Sequence, residues 1–225
     1  MRAFLLAAVI LPFTTAAQFA INGPMPGHID LTEATIWLQC HGPCSEQIEY
    51  WPTSDRSQAR TTPTITSDPA KAHAMDMVLP DLLPGTEYTY RLLGSGGSGT
   101  DTVLYTFRTQ PIWKFRTDPP EFTMAMGSCT YINETAFDRP GKPYGDGYGI
   151  FDAIADKKPD LMLWLGDNVY LREPDWGSRS GVLHRYTHTR SVPELQRLLR
   201  STAHYAIWDD HDFGPNDADA SFVNS

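Results

Sequence analysis

The chain has 225 residues, enough for one large domain or two modest ones at roughly 100–200 residues each. A hydrophobic content of 41% with 12% aromatics supplies a packed core and argues against a disordered chain. With 18 Lys and Arg against 27 Asp and Glu, the net charge of −9 disfavours nucleic acid as the main partner and leaves carboxylates to hold hard cations.

Met1-Arg2 is a short basic start, residues 3–13 form an apolar run, and Thr15-Ala16-Ala17 is a small-residue cleavage pattern. The run is shorter than the roughly 20 residues a bilayer span requires and fits a signal peptide over 1–17. No later run is long enough to span, so the expectation is a secreted or periplasmic protein with no membrane span after signal removal. Export permits disulfides. Cys40 and Cys44 bracket the turn His41-Gly42-Pro43 and are expected to pair, leaving the distant Cys129 free. Zinc on the same cluster would lack its usual fourth ligand.

Residues 20–110 read as β structure. Thr35–Gln39, Gln47–Trp51 and Met75–Leu79 alternate with period two, Leu83-Pro84-Gly85-Thr86 is a turn, and Glu87–Arg91 follows as a strand. Gly94-Ser95-Gly96-Gly97-Ser98-Gly99 reads as a hairpin loop leading into a strand over Thr102–Arg108. Six or seven short strands with regular turns predict a β-sandwich. The Leu82–Tyr88 stretch resembles the fibronectin type III pattern, in which that Tyr fixes a corner. Titratable groups form no constellation here, so a structural module is expected.

Pro111, Pro119 and Pro120 mark a linker, after which the periodicity changes over 121–225. Phe122–Met126 is a short apolar strand, Gly149–Lys158 has helical spacing, and Asp160–Leu165 is a continuous apolar run. Pro193–Ser201 reads as a helix with Pro in its first turn, and His204–Trp208 as a third strand. The order β-α-β-α-β predicts parallel strands with crossover helices. Each strand runs into polar residues: Cys129, then Asp167, then Asp209-Asp210-His211-Asp212. Ligands of open parallel sheets bind at the carboxyl ends of the strands, so these groups are expected on one rim.

Gly127-Ser128-Cys129, Gly166-Asp167-Asn168-Val169-Tyr170 and Trp208-Asp209-Asp210-His211-Asp212 together resemble the alkaline phosphatase D (PhoD-type) family of calcineurin-like metallophosphoesterases. Taken singly, a Cys, an Asp after Gly or a Tyr at a strand end is ordinary core or cap chemistry; the weight lies in their joint occurrence. The resemblance implies a mixed fold: a fibronectin type III-like β-sandwich followed by a partial α/β metallophosphoesterase domain of α/β/β/α type. It implies hydrolysis of small-molecule or polymeric phosphate esters by a metal-activated water, with Fe(3+) and Ca(2+) in a binuclear or larger site and other divalent metals as substitutes. Carried over by residue, Asp167 bridges two ions, Tyr170 and Cys129 ligate iron, and Asp210 is a further ligand. Asn216 resembles a calcium ligand. His211 faces the phosphoryl oxygens, and Asp212 orients that histidine. Arg139 and Lys142 lie near a loop that would meet phosphate, although a solvated loop is the ordinary role for them.

The resemblance also implies a longer catalytic domain with later ligands, so the chain is expected to be truncated at its C-terminus. An incomplete sheet predicts an uncovered apolar face, weakened metal affinity, and inactivity in this form as one outcome. Two other readings stand beside it. One is a non-catalytic secreted calcium-binding or adhesion module, with 209–219 as a calcium loop. The other is a purple acid phosphatase-like monoesterase, disfavoured because Asp210 stands where that group carries Asn.

Overall fold

A computed structural model describes residues 21–94, 103–138, 140–141 and 146–222. The expected signal peptide at 1–17, the glycine–serine loop at 95–99, and Arg139 and Lys142 lie outside the described residues. Between Ile21 and Arg108 the described residues form nine strands: β1 (Ile21–Ile29), β2 (Ala34–Cys40), β3 (Ser45–Glu46), β4 (Ile48–Pro52), β5 (Arg60–Thr61), β6 (Ile65–Thr66), β7 (Ala74–Leu79), β8 (Glu87–Leu92) and β9 (Tyr105–Arg108). One antiparallel sheet has the order β1-β2-β7 and another β5-β4-β8-β9, while β3 and β6 make a short ribbon.

Alternation in the sequence becomes alternation in burial. Met75, Met77 and Leu79 of β7 point inward while Asp76 and Val78 face solvent. They meet Ile36 and Leu38 of β2 and, from the second sheet, Ile48 and Tyr90, in one shared core. The Cys40–Cys44 disulfide closes the chain between β2 and β3. Strand β1 carries Gly23, Pro24, Pro26 and Gly27, and its ladder with β2 is interrupted twice. It sits at the edge of its sheet, where a missing N–H donor is tolerated.

The rest of the chain forms β10 (Met124–Gly127), α1 (Ile150–Asp156), β11 (Leu161–Leu165), α2 (Glu173–Trp176), α3 (Arg179–Arg190), α4 (Pro193–Ser201) and β12 (Ala203–Ile207). The three strands are parallel in the order β10-β11-β12, and the register aligns Met126, Leu163 and Tyr205 in one row. The inner face, with Met162 and Trp164, is covered by Phe151 and Ala155 of α1 and by Leu195, Leu198 and Leu199 of α4. That leucine spacing is the apolar stripe of an amphipathic helix. Trp164 Nε1 donates to His204 Nδ1 at 3.0 Å, and His204 Nε2 donates to the Leu198 carbonyl at 3.2 Å. This fixes a neutral tautomer, and burial pushes the His204 pKa down to about 4.

On the opposite face Met124, Met126, Leu165 and Ile207 are 40–59% exposed. Among the described residues, the corner of this face is closed where Leu161, Ala203 and Tyr205 pack against the sandwich core. Polar contacts tie the two halves together. Asn22 Nδ2 donates to Gln39 Oε1 at 3.1 Å and to Ser191 Oγ at 3.0 Å, and Gln39 Nε2 donates to Thr187 Oγ1 at 2.7 Å. Gly23 donates its N–H to Gln196 Oε1 at 3.1 Å and accepts from Arg200 Nε at 2.6 Å.

The expected β-α-β-α-β order is corrected by α2 and α3, which intervene between β11 and α4. Helix α3 lacks an apolar stripe. Its anchor is Arg185, fully buried and paired at 2.8 Å with both Asp175 of α2 and Glu134. A charge-anchored helix leaves no periodic hydrophobic signal to read.

Candidate metal centre

The loops that follow the three parallel strands meet at one rim, and the backbone there is unusual. Cys129 (φ +59°) and Asp167 (φ +51°) both occupy the left-handed region, which non-glycine residues rarely adopt. Such outliers cluster where surrounding structure enforces them, often at functional sites. Gly166 (φ +91°) lies against the third loop, and a Cβ there would sit 2.6 Å from Asp209 Cβ. Only glycine lets the loops after β11 and β12 approach so closely. Thr130 N–H donates to the Asp167 carbonyl at 2.8 Å and Leu171 N–H to the His211 carbonyl at 3.2 Å, knitting all three loops.

Asp167 is the hub of the side chains. Its Oδ2 accepts from Tyr170 OH at 3.0 Å and from Cys129 Sγ at 3.5 Å. Its Oδ1 is buried without a hydrogen-bond partner. One potential ligand atom from each of Asp167, Asp210 and His211 lies within 4.8 Å of the others. Asp210 accepts from His211 N–H at 2.8 Å and from Asp217 N–H. Desolvation works to raise the Asp210 pKa, but these backbone donors and the nearby His211 outweigh it and hold the carboxyl below its ordinary value. Tyr170 is shifted the other way: burial first, then hydrogen bonds with Cys129 and Asp167 and their negative charge, raise it well above the usual tyrosine range. A cation seated on Asp167 would reverse that sign and favour the phenolate.

Two expected residues sit differently. Asp212, expected to orient His211, is buried and turned the other way: Oδ1 accepts from Val169 N–H (3.2 Å) and Tyr186 OH (3.4 Å), Oδ2 from Asn168 Nδ2 (3.1 Å) and Asp209 N–H (3.0 Å). It braces the loops after β11 and β12, because four converging donors outcompete one imidazole. Asn216 is exposed and its Nδ2 donates to the adjacent Asp217 at 2.7 Å; among the described residues no hydrogen bond joins it to Asp167. Sequence reasoning missed the packing around the hub. Tyr131 lies 5.0 Å from the Tyr170 ring, centroid to centroid, and the Tyr170 ring lies 4.3 Å from that of His211. No sequence signal marks this packing, because its members come from separate loops.

The residues present fit a metal. A buried carboxylate oxygen without a partner costs free energy that a cation would recover, and a thiol, a phenol and two carboxylates form an anionic donor set suited to a highly charged ion. The second cluster of potential ligands, Cys40, Cys44 and Glu46, has its two sulfurs committed to a disulfide.

No protein-family model matches the chain, and no curated protein matches it. Among solved structures, that of PhoD matches 92% of this chain and 41% of its own length, with a TM-score of 0.67 and 18% identity. A purple acid phosphatase, PPD1, from yellow lupin (Lupinus luteus) seeds matches 85% of this chain and 35% of its own, with a TM-score of 0.57 and 14% identity. The chain thus spans about two fifths of the PhoD structure and about a third of the lupin one. At such identities the likeness is one of fold alone: most of this chain folds like part of PhoD and part of the lupin purple acid phosphatase.

Proposed function

We propose that this chain carries the metal-holding part of a secreted PhoD-type phosphodiesterase or alkaline phosphatase. Residues 20–110 would form its fibronectin type III-like sandwich and residues 121–225 would contribute to its catalytic domain. Support for the sandwich comes from its three- and four-stranded sheets and from Tyr88, whose hydroxyl accepts the Leu83 N–H at 2.8 Å at the corner. The observation that carries the enzymatic reading is the Asp167 carboxylate: one oxygen is buried without a partner, the other accepts from Cys129 and Tyr170, and the group lies within reach of Asp210 and His211.

Asp167 and Asp210 would hold the ions, with Cys129 and Tyr170 on an iron; Asn216, turned to Asp217 here, would have to swing round to join them as a calcium ligand. When bound, such ions supply Lewis-acid polarisation of a phosphoryl oxygen and lower the pKa of an attacking water to about 7. As ligands Cys129 and Tyr170 would each have to release a proton to solvent. His211 is half-exposed beside Asp210 and would donate to the phosphoryl oxygens or to the leaving group. Gly166 and Asp212 hold the loops so that these donors share one rim.

Elemental analysis of the purified chain beside Asp167→Ala tests this. Near-stoichiometric iron or calcium in the wild type, falling at least tenfold in the variant, is expected. Equal metal in both, or none in the wild type after incubation with Fe(3+) and Ca(2+), overturns it. Metal-dependent turnover of bis(p-nitrophenyl) phosphate would then test the reaction class.

A further inference from the structure

Behind Tyr170 lies a second layer that the proposed chemistry does not use. Arg172 and Asp138 form a buried pair, their side chains 7% and 5% exposed. The pairing is bidentate, Nε to Oδ1 at 3.1 Å and Nη2 to Oδ2 at 2.8 Å, the geometry that holds a guanidinium in a fixed plane. Two further donors of Arg172 go to backbone carbonyls on two loops: Nη2 to Ile132 at 2.9 Å, and Nη1 to Tyr170 itself. Tyr131 OH donates to Asp138 Oδ1 at 2.7 Å, and Glu134 N–H donates to Oδ2 at 2.7 Å. Asp138 thereby has both oxygens engaged and is held as an anion, with a pKa of about 2 despite the burial that opposes ionisation.

The Arg172 guanidinium lies 4.3 Å over the Tyr131 ring, Tyr131 packs at 5.0 Å on Tyr170, and Tyr170 packs at 4.3 Å on His211. Four groups form one continuous run of contacts, with the Tyr131 and Tyr170 rings tilted by 55° and those of Tyr170 and His211 by 32°, clamped at its outer end by a buried ion pair and ending at its inner end on the rim. We infer that Tyr131 and Arg172 are positioning residues, which fix the Tyr170 phenol and, through it, the His211 imidazole in their working orientation. The metal-related half of this inference rests on the function proposed above; the stacking half does not.

The test uses two readouts on the whole chain. In the metal-free protein, NMR follows the His211 ring protons, assigned with His211→Gln, which the Tyr170 ring displaces by its ring current. In the Fe(3+)-loaded protein, visible absorption follows phenolate-to-iron charge transfer, with Tyr170→Phe as the blank. Tyr131→Leu is expected to reduce the His211 displacement and the absorption band by about half or more. Tyr131→Phe, which keeps the ring and loses only the hydroxyl, is expected to retain most of both. Arg172→Lys is expected to follow Tyr131→Leu, and the exposed Arg197→Lys to change neither. If Arg172→Lys does not fold, the two Tyr131 variants carry the comparison. The inference is overturned if Tyr131→Leu leaves the His211 displacement within about a tenth of wild type in a folded protein. Absence of the band in the wild type sinks the iron assignment and leaves the NMR result to decide the positioning role.

Discussion

The two halves of the molecule solve the same problem to different degrees. The sandwich closes on itself: residues from both of its sheets, including Ile36, Leu38, Ile48 and Tyr90, are fully buried. The parallel sheet closes on one side only, with Leu195, Leu198 and Leu199 sealed beneath α4 while Met126 and Ile207 remain more than half exposed on the other face. The closed half holds a shape, whereas the half-open one carries the strained loops and the converging donors. The candidate ligands are thus placed where packing is least complete and loop geometry most constrained.

The largest effect expected is in the closed core. Leu38→Ala should cost about 3 kcal/mol in urea unfolding, because a fully buried leucine between two sheets leaves a cavity. A cost below about 1 kcal/mol would show that this core is looser than described.

His204 should contribute a pH dependence of similar size. Its unfolded pKa is near 6.5, and in the fold it stays neutral down to about 4. Below 6.5 the unfolded chain binds the extra proton, so stability falls as pH drops from about 6.5 to about 4, by about 3 kcal/mol in all. His204→Gln should flatten that slope in unfolding curves taken across the interval. An unchanged slope would assign it to other groups.

Next in size is the loop crossing. Gly166→Ala must place a Cβ against Asp209 at positive φ, and is expected to lower stability by about 2 kcal/mol and to weaken metal retention. Gly177→Ala, with open space around it, should stay within about 0.5 kcal/mol. The smallest change in stability should come from the open face. Ile207→Ser should move the unfolding midpoint by less than about 0.5 kcal/mol while lowering self-association in light scattering at high protein concentration.

What could be read from the sequence follows from the same contrast. Strand β7 announces itself because one face is core and the other solvent, β2 and β8 because their core-facing apolar residues still alternate with polar ones, and α4 because its leucines recur at helical spacing. Strand β1 hides behind two prolines that only an edge position tolerates, and α3 hides because a buried arginine, not a leucine stripe, holds it. At the rim, the three strand ends carrying Cys129, Asp167 and Asp210-His211 were legible from topology and residue type. The orientation of Asp212 was not, since which donors reach a carboxylate depends on how two loops cross at Gly166. Nor was the Tyr131–Arg172 layer, whose members come from separate loops and meet only in three dimensions.

The hydrogen bonds that join Asn22, Gln39 and Gly23 with Ser191, Thr187, Gln196 and Arg200 have a consequence for handling the protein. A protease that nicks the exposed stretch around residues 112–122 would cut one chain into two without parting them. Both fragments should travel as a single species on a native sizing column and separate only in denaturant, so an intact elution profile is no guarantee of an intact polypeptide.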